Sequence, residues 1–128
     1  MASSDILATL GKTTSRYTCK EGDIPKFNRD NYAATYRGLM GAFVAGNCLE
    51  YVTGAIPFPL ELRGNEVQFA DAVKKRATGI RLIYNSLEET FQNQFLEHLE
   101  THQITLMWAK FKSLRRGCVL EEINNRKG

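Results

Sequence analysis

Four large side chains, Tyr32, Tyr36, Leu39 and Phe43, recur at i, i+4, i+7 and i+11, which puts all of them on one face of a single α-helix. Met40 and Val44 fall about 100° further round and widen the stripe. A helix with so broad an apolar face is not stable alone, so the rest of the chain must cover it. Its surroundings fix its limits. Ile24 to Phe27 leads in as an extended segment, because a proline at 25 pushes the preceding residue out of the helical region. Asp30 or Asn31 can accept from the free amides of the first turn, so the helix is expected to start there. Thr53-Gly54 and the Pro57-Phe58-Pro59 run end the segment. Gly38 and Gly41, inside the helix, each cost roughly 1 kcal/mol relative to Ala. They are either tolerated imperfections or a face on which another helix backbone approaches closely.

Further helices follow by the same periodicity. Glu66 to Asn85 carries Ala70, Val73, Ala77, Ile80 and Tyr84 three and four residues apart, continued by Leu87, the seam of a bundle helix. On its other surface Lys74, Lys75 and Arg81 read as a solvated face. Ser86-Leu87-Glu88-Glu89 matches a capping box, which predicts a break or restart at Ser86. Phe91, Phe95, Leu96 and Leu99 give a third stripe, with Thr101 a cap for the next helix. Ile104, Met107, Trp108, Phe111 and Leu114 give a fourth, with Gly117 as its stop and Trp108 as a core residue. The expected fold is all-α, a compact bundle of about four to six helices. Its expected core includes Phe27, Tyr32, Leu39, Phe43, Ile80, Leu87, Trp108 and Phe111. Residues 24–117 form the domain. Residues 1–23, with Ile6, Leu7 and Leu10, are an arm or short helix, and 118–128 a basic tail to which Val119, Leu120 and Ile123 add one helical turn. Ala55 to Asn65 reads as a loop near the upper length for a compact domain.

The residues offer little catalytic chemistry. A chain of 128 residues is one domain by length, and its 43% apolar and 24% charged composition is that of a globular protein. Cys19, Cys48 and Cys118 are odd in number and widely spaced, so neither a disulfide framework nor a paired metal site is expected. His98 and His102 are four apart, half of a metal site at most, and read as solvated polar positions. Glu88, Glu89, Glu97 and Glu100 have no nucleophile or metal cluster beside them. Phosphate-loop, dinucleotide and nucleophile-elbow patterns are missing. The expectation is a protein that is not an enzyme, with no cofactor, no metal and no small-molecule substrate. The amino terminus lacks the basic start and apolar run of a signal peptide, and no stretch reaches the roughly 20 apolar residues of a membrane span. A soluble cytoplasmic protein with no membrane partner is expected.

Charge is segregated. Lys110, Lys112, Arg115, Arg116, Arg126 and Lys127 crowd the last helix and tail against Glu121 and Glu122, whereas Glu61 to Ala109 leans acidic. Such a basic segment attracts phosphate backbones without reading sequence, and opposite charge on two halves suits contacts between copies.

The segment from Ile24 to Pro57 resembles the N-terminal capsid region of Gag polyproteins from copia-type LTR retrotransposons. Phe27, Asn31, Tyr32, Leu39, Val52, Gly54 and Pro57 fall at the family's positions without a gap. Arg29 stands where the family commonly has Gly, and Thr35 where it commonly has Trp, with Tyr36 next door supplying aromatic bulk. Ile80, Ile83, Leu87 and the Trp108 to Phe111 stretch resemble the family's later helices, so the likeness spans about residues 24–116. It implies a capsid N-terminal lobe that self-associates into a shell or virus-like particle, a homo-oligomer in which Arg37, Met40 and Val44 contact other copies. One alternative is a domesticated, monomeric adaptor that binds another Gag and modulates its assembly. A weaker one is a non-specific RNA-binding module using the basic residues above.

Overall fold

A computed structural model describes residues 15–56 and 66–127, with side chains described for 15–56 and 67–115. The expected arm at Ile6 to Leu10 and most of the loop before Asn65 lie outside the described residues. So do the side chains of Arg116, Cys118, Val119, Leu120, Ile123, Arg126 and Lys127.

The chain is mostly helical but not all-α, because the first described elements form an antiparallel hairpin. Strand β1 (Arg16–Cys19) pairs with β2 (Gly22–Pro25) in the register Arg16↔Pro25, Tyr17↔Ile24, Thr18↔Asp23, Cys19↔Gly22. Alternation sorts its side chains by face. Ile24 is buried, with Tyr17 and Cys19 packed beside it. On the other face Asp23 accepts from Arg16 Nε at 2.9 Å and Thr18 Oγ1 at 3.0 Å. The expectation of an arm or helix through residue 23 is corrected here for residues 16–23.

Helix α1 (Tyr32–Ala45) follows. Asn31 does not cap it. Its Nδ2 donates to the Lys26 carbonyl at 2.8 Å and its Oδ1 accepts from the Asn28 amide at 3.0 Å, so it fastens the lead-in instead. Gly38 serves close approach, though to a strand and not a helix: a Cβ there would sit 3.1 Å from Ile24 Cγ2. Buried Thr35 donates to the Pro25 carbonyl at 2.7 Å, which ties α1 to β2 a second time. At Phe27 the lead-in pairs with the segment after α3. The Phe27 amide donates to Ser86 O at 2.7 Å, and the Glu88 amide donates to Phe27 O at 3.2 Å.

The remaining helices are α2 (Leu49–Thr53), α3 (Glu66–Asn85), α4 (Glu89–Gln92), a short 3-10 turn (Asn93–Phe95), α5 (Leu96–Thr101) and α6 (Ile104–Lys127). On α3 the buried stripe is rotated from the expected seam. Ala72, Gly79, Ile80, Leu82 and Ile83 are buried, whereas Ala70 and Ala77 are exposed. Ser86 forms no capping box; its hydroxyl is buried without a partner among the described residues, and α4 begins after Glu88 with no side-chain cap. The third stripe breaks across α4, the turn and α5, leaving Leu96 exposed. Helix α6 runs through Gly117, because one glycine costs about 1 kcal/mol in a helix and no proline follows to stop it.

Aromatic rings join these pieces. Tyr32 stacks on Phe111 at 5.2 Å and Tyr36 on Trp108 at 5.5 Å, and Trp108 stacks on Phe111 at 5.3 Å. Phe43 meets Trp108 edge-on at 5.1 Å, and Phe27 meets Phe91 edge-on at 4.9 Å. Each such pair adds about 0.5–1.5 kcal/mol beyond its buried area. Of the expected core, Phe27, Leu39, Phe43, Ile80, Leu87, Trp108 and Phe111 are buried and Tyr32 is half-buried.

Candidate functional site

Helix α1 packs on the core through Leu39 and Phe43 and on β2 through Thr35, Gly38 and Ala42. At 100° per residue, the arc left over carries Ala33, Arg37, Gly41 and Val44. All four are exposed, Val44 by 60%. Met40 lies at the edge of the arc, half-buried against the core, so it widens the apolar stripe as expected while Val44 does not. Arg37 carries the only formal charge within α1. Its Nε donates back to the Ala33 carbonyl at 3.3 Å, a bond within its own helix. Beside it Gly41 is open: a Cβ built there meets nothing among the described residues within 4 Å.

A shallow groove continues this face past the end of α1. Phe43, Val44, Asn47, Leu49, Glu50 and Lys75 line it. Asn47 turns the chain there with a left-handed φ of 55°, a conformation asparagine tolerates. Lys75 is held by Asp71 at 2.8 Å, and that hydrogen bond raises its pKa. Glu50 is exposed.

Beneath the hairpin lies a charged network that helical periodicity does not reveal, because spacing alone puts Arg81 on a solvated face. The Glu21 side chain is only 4% exposed, and its Oε1 accepts from Arg81 Nη2 at 2.8 Å. Arg81 Nη1 also donates to Tyr17 Oη at 2.6 Å. Burial by itself raises the Glu21 carboxyl, but the hydrogen bond and charge of Arg81 outweigh it, and the net shift is downward. Nearby Cys48 is buried, and desolvation, helped by the Glu21 charge, pushes its thiol up to about 11. A thiol so placed is protonated at neutral pH and is a poor nucleophile. The network's role is to fasten the hairpin to α3.

The remaining expected site residues are dispersed. Lys110 is half-buried; its Nζ bonds the Gln94 carbonyl and lies 5.3 Å from the centre of the Phe95 ring, so it serves packing. Lys112 and Arg115 are exposed. His98 is half-buried on α5, while His102 leaves the helix with a left-handed φ of 57°, so the spacing of four does not put them on one helical face. Among the described residues no three His, Cys, Asp or Glu side chains gather closely enough to hold a metal ion. No described helix is long and apolar enough to cross a membrane.

A second groove, between α2 and the start of α6, was not anticipated. Tyr51, Ile56, Arg76, Ile104 and Leu106 are among its lining residues. Leu106 is 53% exposed and Ile56 41%. The signal for it was Leu106, an apolar residue lying off the α6 stripe.

No family model, curated protein or solved structure matches this chain.

Proposed function

We propose that this protein is a non-enzymatic structural module with a capsid-like helical fold of copia-type Gag descent, which acts in the cytoplasm by associating with copies of itself. The observation that carries the reading is the outer face of α1. There Ala33, Arg37, Gly41 and Val44 stand open with a single charge among them, where a solvated helix face ordinarily carries many. Two features support the descent. The family-like positions Phe27, Leu39 and Val52 are fully buried. At Arg29, where the family commonly has Gly, the backbone takes a φ of 81°, the left-handed region that glycine adopts without cost.

Light scattering coupled to size-exclusion chromatography, over a wide concentration range and with and without RNA, tests the proposal. Negative-stain microscopy of the heaviest fraction completes it. The expected result is mass that grows with concentration, and rings, sheets or particles on the grid. A strict monomer throughout overturns it.

The second groove favours one other reading, a monomeric adaptor that captures a partner such as another Gag subunit on Ile56 and Leu106 and redirects its assembly. RNA binding through Lys112 and Arg115 is the weaker alternative, since Lys110 is engaged in packing.

A further inference from the structure

We infer that the partner of the α1 face is the same face of a second copy, packed antiparallel across Gly41 about a two-fold axis, with Arg37 of each copy paired to Glu50 of the other. The inference rests on the self-association proposed above and specifies its geometry. Gly41 lies on the open arc, and with no side chain there and nothing among the described residues within 4 Å it is where two such helices come closest.

A two-fold axis at Gly41 fixes what meets what. Positions 37 and 45 each lie four residues from 41, about 6 Å along the helix. In an antiparallel pair Arg37 of one copy is therefore level with Ala45 of the other, next to Val44. That is where the groove lined by Val44, Asn47, Leu49 and Glu50 begins.

Charge complementarity selects this partner. The α1 sequence contains no Asp or Glu, so a second α1 alone offers Arg37 no carboxylate. Glu50 at the groove supplies one. Both side chains are exposed, and among the described residues neither forms an ion pair within its own chain, whereas Lys75 in the same groove is already held by Asp71. The arrangement is isologous, so each contact occurs twice and the pair closes on itself. One helix-wide face is small for an interface, so the dimer is a weak one.

Sedimentation equilibrium of the full chain tests this with Arg37→Glu, Glu50→Arg, the double exchange, and Gly41→Gln. Gly41→Gln places a bulky but helix-compatible side chain at the crossing. The inference expects each single variant to raise the dimer Kd about tenfold or more, and the double exchange to return it to within about threefold of wild type. Far-ultraviolet circular dichroism should show unchanged folding. A wild type that associates while the charge reversals or Gly41→Gln leave its Kd unchanged overturns this geometry and leaves self-association standing. Failure of the double exchange to restore binding overturns the Arg37 to Glu50 pairing. A wild type that stays monomeric overturns both the geometry and the function it rests on.

Discussion

Arg81 Nη2 donates to Glu21 Oε1 at 2.8 Å, joining α3 to a hairpin turn sixty residues earlier in the chain. The carboxylate is almost wholly buried, while the Arg81 side chain is 37% exposed. Removing the partner of a buried charge costs roughly 3–5 kcal/mol when both are buried. Water reaches Arg81, so Arg81→Met should cost less, about 2 kcal/mol.

The same pair makes stability depend on pH. The charged groups facing Glu21 are Arg81 on α3 and Lys20 on its own turn, with Tyr17 bonded to Arg81 and the thiols of Cys19 and Cys48 nearby. Because the folded carboxyl lies below its ordinary value of 4.5, its contribution is complete above that value and fades as pH falls through the lower, folded one. Glu21→Gln should therefore be less stable than wild type at pH 7, by about 1–2 kcal/mol. Urea unfolding should show that gap shrinking by pH 3. A gap of equal size at both pH values would count against this role for Glu21.

Two glycines should respond oppositely to alanine. A Cβ on Gly79 would press into Ile104 Cδ1 and come within 2.9 Å of Val52 Cγ2, where α3, α2 and α6 meet. Overpacking there costs about 1–3 kcal/mol and exceeds the gain in helix propensity. Gly41 has open space, so Gly41→Ala should raise monomer stability by up to about 1 kcal/mol. Thermal melts of dilute protein measure both. Ile104→Val, which deletes the clashing methyl, should recover much of the Gly79→Ala loss.

What could be read from sequence follows the range of the interaction. Helices α1, α3 and α6 were legible because their apolar residues repeat within a few positions, and Arg37 could be placed on an outer face for the same reason, whereas Val44, which the same spacing puts in the apolar stripe, lies outside it. The hairpin was not. Its Lys20-Glu21 turn has none of the Asn-Gly chemistry that marks two-residue hairpins. Its anchor is a carboxylate whose partner lies sixty residues away. Ser86 misled for a related cause: Phe27, far off in sequence, takes the Ser86 carbonyl and draws the segment into the core, so the next helix begins only after Glu88. The openness of Gly41 depends on which neighbours fail to arrive, which local pattern does not carry, whereas the groove at Leu106 left one trace, an apolar residue off the α6 stripe.

Two buried hydroxyls make the last contrast. Thr35 and Ser86 are both fully buried, and a sequence reader has no ground to tell them apart. Thr35 Oγ1 donates to the Pro25 carbonyl at 2.7 Å, whereas Ser86 Oγ has no partner among the described residues. Thr35→Val keeps the shape but strands that carbonyl between α1 and β2, a loss of about 1–2 kcal/mol. Ser86→Ala removes a hydroxyl that already carries its desolvation penalty uncompensated, so the change should be neutral or stabilising by up to about 1 kcal/mol. Chemical denaturation of the two variants decides it. A Ser86→Ala protein destabilised as much as Thr35→Val would mean that the serine hydroxyl has a partner, such as a bound water, after all.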